Sequence, residues 1–337
     1  MKDEVHGSVR AMLELRSATF RYPVRQPRLF HPWATRRGPG VRGIDLTLEG
    51  GQILGLVGPN GSGKTTLMRV MADLLPLEDG SISVENTTSI EERRSAIGYM
   101  PERVTWNGPG TAKQTIDRLC LMRNLPLKEG HDLLDLVGLK NRTMDDLSTF
   151  SQGMKQRLSL ASTLLGDPKI LLLDEPLNGL DPVAQSAFRT LLRQLADRGT
   201  CVVISSHTLS DLERIADTFV LMHQGRIVAD GPLNEIERDL GLRAILEIAG
   251  LGAAPTSFGE DVEAEEIPCQ DGEEWAYHLH LQDGEWDTKR RSEFGPEITF
   301  TRLQNVPAGL ENVISAATGL DIEDAGFTIL SEVDSDA

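Results

Sequence analysis

The chain is predicted to be α/β, with a largely parallel sheet covered by helices on both faces. Three observations carry that reading. Apolar runs of strand length alternate with stretches of helical periodicity through the first two thirds of the 337 residues. One run, residues 53–57, passes through a glycine-rich turn straight into a helical pattern. Another, residues 170–173, is four aliphatics in a row that end on two acids, Asp174 and Glu175.

Composition narrows the class. At 39% hydrophobic and 25% charged, the chain reads as an ordinary folded protein. No apolar run approaches the ~18 residues of a membrane-spanning helix. Residues 1–7 lack the apolar core of a signal peptide. The expectation is a cytoplasmic protein that meets a membrane only through a partner. Cys120, Cys201 and Cys269 are scattered and match no metal spacing. Of the formal net charge of -17, roughly 16 units fall after residue 240, so two regions with different roles are expected. A near-neutral first part also argues against nucleic acid as a partner, which would call for a basic stripe.

The elements follow in order. Residues 1–11 carry no pattern and are expected to be unstructured. Residues 12–20 alternate apolar and polar and predict a strand; Tyr22, just beyond, either stacks on a ligand ring or packs on the core. Residues 23–42 are punctuated by Pro23, Pro27, Pro32, Gly38, Pro39 and Gly40, and carry Arg25, Arg28, Arg36, Arg37 and Arg42. They read as a long basic loop, either a solvated insertion or a contact for anionic lipid headgroups or an acidic partner. Strands are expected at 44–48 and 53–57, then, after a helix from Thr66, at about 81–84 and 97–100, the last ending at Pro101-Glu102. Residues 112–166 look helical, with Ile116, Leu119 and Cys120, then Leu133, Leu134 and Val137, at helical spacing. Leu180-Asp181-Pro182 opens a further helix to about Asp197. Residues 201–206 form a strand ending at His207, and 218–222 and 226–230 flank a turn at Gln224-Gly225. Beyond residue 240, strands at 275–281 and 297–303 and a helix at 310–317 suggest a small acidic α+β appendage. His278 and His280 share a strand face there without an evident third metal ligand.

The chemistry concentrates at two places. Gly58-Pro59-Asn60-Gly61-Ser62-Gly63-Lys64-Thr65-Thr66, between a strand and a helix, is the P-loop pattern. Its glycines let successive N–H groups converge on one anion, and the helix N-terminus adds partial positive charge. Lys64 supplies a full charge for β- and γ-phosphates, and the Thr65 hydroxyl is placed for Mg²⁺. Acids ending a central strand are costly unless they hold a metal or activate water. Asp174 is therefore read as orienting Mg²⁺ through water, and Glu175 as the base for the attacking water. His207 stands at the carboxyl end of another central strand, where open α/β sheets bind ligands.

One further segment carries a family. Phe150-Ser151-Gln152-Gly153-Met154-Lys155-Gln156-Arg157, shortly before the two acids, is similar to the Leu-Ser-Gly-Gly-Gln signature of ABC ATPases. Residues 12–236 resemble the ATP-binding subunit of an ABC transporter. Tyr22 matches its aromatic A-loop, with Phe20 as the alternative; Glu102 matches the Q-loop, Asp181 the D-loop and His207 the switch histidine. The resemblance implies a P-loop NTPase fold with a RecA-like core, a small antiparallel β subdomain and a helical signature subdomain at about 103–166. Residues 241–337 would be an acidic C-terminal accessory domain. It implies ATP and Mg²⁺ as cofactors, with Glu102 beside the metal and the water. It implies a second copy of the chain as partner, paired head to tail, so that Ser151, Gly153 and Asp181 meet nucleotide held by the other copy. It implies an integral membrane permease at the inner face of the cell membrane, received by residues 104–148. Phe150, Gln152, Met154 and Glu102 depart from the usual Leu, Gly, Gln and Gln. With Pro101-Glu102 they look most like exporters whose permeases are separate chains. The alternative is a soluble ABC ATPase acting on a macromolecular complex.

Overall fold

A six-stranded sheet organises the first part of the computed structural model, in the order β5-β6-β7-β3-β8-β9. The model describes residues 11–25, 35–103, 105–106, 109–242, 245–255, 258, 262–281, 299–306 and 308–319. In chain order the elements are β1 (Ala11–Arg25), β2 (Thr35–Glu49), β3 (Ile53–Val57), α1 (Lys64–Met71), β4 (Asp79–Val84), α2 (Ile90–Ala96), β5 (Ile97–Met100), α3 (Ala112–Met122) and α4 (Leu127–Leu136). Then come α5 (Gln152–Leu164), β6 (Ile170–Leu173), α6 (Pro182–Asp197), β7 (Cys201–Ser205), α7 (Leu209–Glu213), β8 (Thr218–His223) and β9 (Arg226–Gly231). The chain divides into two compact units, residues 1–230 and 231–337.

Strands β5, β6, β7, β3 and β8 pair in parallel. Every residue of β3, β6 and β7 is buried. Helices on both faces leave no polar side to such strands, which is why they read as unbroken aliphatic runs. Helix α6 shows the complementary pattern, burying Ala184, Phe188, Leu192 and Ala196 at four-residue spacing. Asp181 caps it, its carboxylate accepting the Ala184 N–H at 2.9 Å, and Pro182 takes the first helical position.

A second sheet, β2-β1-β4, is antiparallel. It corrects the reading of residues 23–42 as a loop. Residues 35–42 belong to β2, and residues 23–25 to β1, with Pro23 opposite Arg37 and Arg21 opposite Gly40. Residues 26–34 and residues 1–10 lie outside the described residues; Ala11, expected to be unstructured with residues 1–10, instead opens β1 opposite Glu49. Pairing with β1 supplies the backbone bonds that composition alone did not promise. β2 is an edge strand, where a proline such as Pro39 costs little. Gly40 is required there: a Cβ would lie 2.0 Å from the Phe20 carbonyl oxygen.

The second unit contains α8 (Leu233–Asp239), β10 (Ile245–Leu251), β11 (Val262–Glu266), β12 (Trp275–Leu281), β13 (Thr299–Val306) and α9 (Leu310–Thr318). Its sheet is antiparallel in the order β11-β12-β10-β13. Leu246, Ile248, Trp275 and Leu279 form its apolar cluster, with Phe300 edge-on to Trp275 at 5.8 Å. Charge is buried as well: Arg302 reaches Glu247 at 2.7 Å and Glu273 at 3.0 Å. His280 lies 3.8 Å from Glu265, and no group of three metal-ligating side chains forms among the described residues.

Candidate functional site

Strand β3 delivers the chain to a loop built on unusual backbone. Gly58, Gly61 and Gly63 have φ of 145°, 80° and 112°. At Gly58 a side chain is excluded twice over, because a Cβ would also lie 2.2 Å from the Met222 carbonyl oxygen. Ser62 N–H closes on the Pro59 carbonyl at 3.1 Å, and Gly225 N–H clamps the Ser62 carbonyl at 2.7 Å from the turn after β8. Helix α1 then starts at Lys64, leaving its first N–H groups without intrahelical partners. The Lys64 ammonium folds back and donates to the carbonyls of Gly58 at 2.6 Å and Pro59 at 3.3 Å. Burial lowers its pKa below 10.5, opposed by the nearby Glu175 and Asp174.

The two acids leave the end of β6 differently. Asp174 is 2% exposed. Ser205 joins the pair from β7: its hydroxyl donates to Asp174 Oδ1 at 2.8 Å and accepts the Glu175 N–H at 3.0 Å. Asp174 Oδ2 is buried with no hydrogen-bond partner among the described residues. Glu175 has φ of 53°, a left-handed conformation that a residue other than glycine holds only under constraint. Its Oε2 accepts the His207 N–H at 3.0 Å, and Oε1 lies 3.4 Å from His207 Nε2. Behind the turn, Gln156 of α5 donates to the Pro176 carbonyl at 3.0 Å. Burial raises the Glu175 carboxyl above its ordinary 4.5, against the pull of His207 and Lys64.

These groups meet in one cavity of about 360 Å³. Tyr22, Asn60, Gly61, Gly63, Lys64, Thr65, Thr66, Glu102, Asp174, Glu175 and His207 line it, with Pro39 and Gly40. Gly58, Pro59 and Ser62 shape the loop from behind. Tyr22, not Phe20, faces the cavity; Phe20 is 7% exposed in the core, and its ring meets Tyr22 edge-on at 4.9 Å. Ser151, Gly153 and Asp181 are not part of this cavity. They line a second one with Gln152, Met154 and Arg142, where Ser151 caps α5 by accepting the Met154 N–H at 3.3 Å.

The donor set fits Mg²⁺. An orphaned carboxylate oxygen of Asp174 sits in the same cavity as the Thr65 hydroxyl and Glu102, all hard oxygen ligands. Mg²⁺ keeps waters and takes phosphate oxygens, so few protein ligands suffice.

Ser205 escaped the sequence reading; Gln156 stood in the signature segment without a role. A hydroxyl following buried Cys201 and three buried aliphatics in β7 was the available signal for Ser205. Ser205→Ala should remove the one bridge between the two acids. Its expected cost is about 1–3 kcal/mol of stability from unpaired buried groups, and about ten-fold or more in turnover. Denaturant titration and phosphate release check this; unchanged values of both would contradict the bridge.

Comparison with known proteins agrees with this geometry. The family described as ABC transporter matches residues 41–178. The bacitracin transport ATP-binding protein BcrA of Enterococcus faecalis is 31% identical, over 83% of this chain and 91% of that protein. The Nod factor export ATP-binding protein I of Burkholderia lata is 30% identical, over 84% and 93%. Among solved structures, an ATP-binding subunit of an ABC transporter superposes with a TM-score of 0.59 at 26% identity, covering 68% of this chain and 93% of that one. A dimeric ATP-binding cassette in a post-hydrolysis state with ADP and Pi has a TM-score of 0.57 at 20% identity, over 66% and 98%, and shares the fold.

Proposed function

Because the chain belongs to the ATP-binding proteins of ABC transporters, we propose that two copies pair head to tail around two ATP molecules and drive export through a membrane permease. The chain is an ATPase that powers a transporter. What supports the two-copy reading is the division of its site: the P-loop and its acids line one cavity, the signature Ser151 and Gly153 another. Head-to-tail pairing brings one copy's first cavity to the other copy's second.

In this arrangement Lys64 leaves the Gly58 and Pro59 carbonyls for the β- and γ-phosphates, exchanging weak acceptors for charged ones. Thr65, Asp174 and Glu102 would hold Mg²⁺, whose charge would offset that of the phosphate oxygens. Glu175 takes the proton of the attacking water, and His207, already held by Glu175, faces the γ-phosphate. Tyr22 stacks on adenine. The N-terminus of α5, with Ser151 and Gly153, adds its dipole to the partner's nucleotide, and Asp181 steadies that edge. ATP then joins the copies, and hydrolysis removes the charge that joined them.

No helix among the described residues is long and apolar enough to cross a membrane. In this reading a separate permease of six membrane-spanning helices supplies the path, with this chain at the inner face of the cell membrane. The relatives named for bacitracin transport and Nod factor export support outward transport.

Mixing two inactive variants tests the shared site. Lys64→Ala spoils one half-site and Ser151→Arg the other, so a mixed dimer keeps one intact composite site. Mixing should recover part of the wild-type ATPase activity. Activity no higher than that of the separate variants would count against head-to-tail pairing.

A further inference from the structure

The antiparallel sheet carries a second, basic cavity that shares no residue with the nucleotide cavity. Arg21, Arg37, Arg42 and Arg226 line it beside Glu78 and Asp79. In a chain of net charge -17, four guanidinium groups at one spot need compensation. Glu78 gives it to two of them: its Oε2 lies 3.1 Å from Arg21 Nη2 and 3.7 Å from Arg37 Nε. Its Oε1 is taken by the Arg21 backbone N–H at 3.1 Å. Asp79 accepts the backbone N–H of Gly80 at 2.9 Å. Arg42 and Arg226 have neither an ion pair nor a side-chain hydrogen bond among the described residues. Arg21 Nε is buried and also lacks a hydrogen-bond partner.

The scaffold is held in register. Arg21 belongs to β1, Arg37 and Arg42 to β2, and Arg226 opens β9. The Arg42 N–H donates to the Gly225 carbonyl at 2.8 Å, which ties β2 to the residue before Arg226. Two exposed guanidinium groups, without ion pairs among the described residues, line one concavity beside Arg21 and Arg37.

We propose that this cavity binds a phosphate-bearing anion. A phosphate monoester carries about -1.5 to -2 charge and three acceptor oxygens. That matches two free guanidinium forks in charge and in geometry. A single carboxylate would leave one fork unmatched. The same group is presented by a free phosphate compound and by the headgroup of phosphatidic acid.

The test uses the full chain carrying Lys64→Ala in every arm, so that the P-loop contributes weakly and equally to parent and double variant. Pyrophosphate is titrated calorimetrically, and flotation is measured with vesicles containing phosphatidic acid against phosphatidylcholine vesicles. The comparison is with Arg42→Gln/Arg226→Gln; both side chains are exposed, so the fold should tolerate their loss. The double variant should bind pyrophosphate about ten-fold more weakly or worse, as expected for lost charge-assisted hydrogen bonds. Should the vesicles be the ligand, flotation with phosphatidic acid falls instead while pyrophosphate binds neither protein at this site. Equal behaviour of parent and double variant in both assays, including no binding in either, overturns the site. If the double variant melts early, Arg226→Gln alone is read the same way.

Discussion

Glu175→Gln should slow phosphate release by about 10²–10⁴-fold, the range of a lost general base, while ATP still binds. The substitution is nearly isosteric, so the turn after β6 should persist. The Glu175 N–H keeps Ser205, and the amide oxygen can still accept the His207 N–H. What disappears is the proton acceptor. Glu175 is 3% exposed, and the water it would activate meets few competing bases. Asp174 accepts the Ser205 hydroxyl through one oxygen, and its other oxygen is buried without a hydrogen-bond partner among the described residues. Stopped-flow phosphate release and nucleotide binding separate the two effects. A variant that hydrolyses at the wild-type rate would remove Glu175 from this role.

Lys64→Ala should act earlier, on the nucleotide itself. The ammonium is the one full positive charge contributed by the loop, and it bridges the Gly58 and Pro59 carbonyls before any ligand arrives. Its loss leaves the N–H groups of the loop and the helix dipole to hold the phosphates. Turnover is expected to fall by about 10²–10³-fold, as when a preorganised electrostatic contact to the reacting group is deleted. Nucleotide affinity should drop with it, read by fluorescent nucleotide titration. Wild-type affinity together with wild-type turnover would contradict the role of Lys64.

How much of this was legible depended on how local each signal is. The loop at 58–66 could be read because its glycines, lysine and threonine work within one turn of chain. Residues 170–175 could be read because two acids after a buried strand demand an explanation. The first strand of the antiparallel sheet was visible, but its partner at 35–43 was not. Its prolines and glycines look like loop, and only pairing with β1 across the sheet makes it strand. Strand β11 was missed for a related reason: glutamates at 263, 265 and 266 oppose strand propensity, and pairing with β12 overrides them. Helix α2, charged along most of its length, gave no apolar period to detect. The hydroxyl ending β7 was visible, but what Ser205 bridges was not, because its partners lie 30 and 31 residues earlier in the chain. Choosing Tyr22 over Phe20 needed the fold, which buries one ring and turns the other to the cavity.

The central claim is that nucleotide is held between two copies of this chain. Sedimentation of the Glu175→Gln variant, with its permease present, tests it most directly. With ATP and Mg²⁺ the two ATP-binding chains should close on each other and resist crosslinker-free separation; with ADP they should part. Copies that stay apart under saturating ATP and Mg²⁺ would contradict the shared site and the transport cycle built on it.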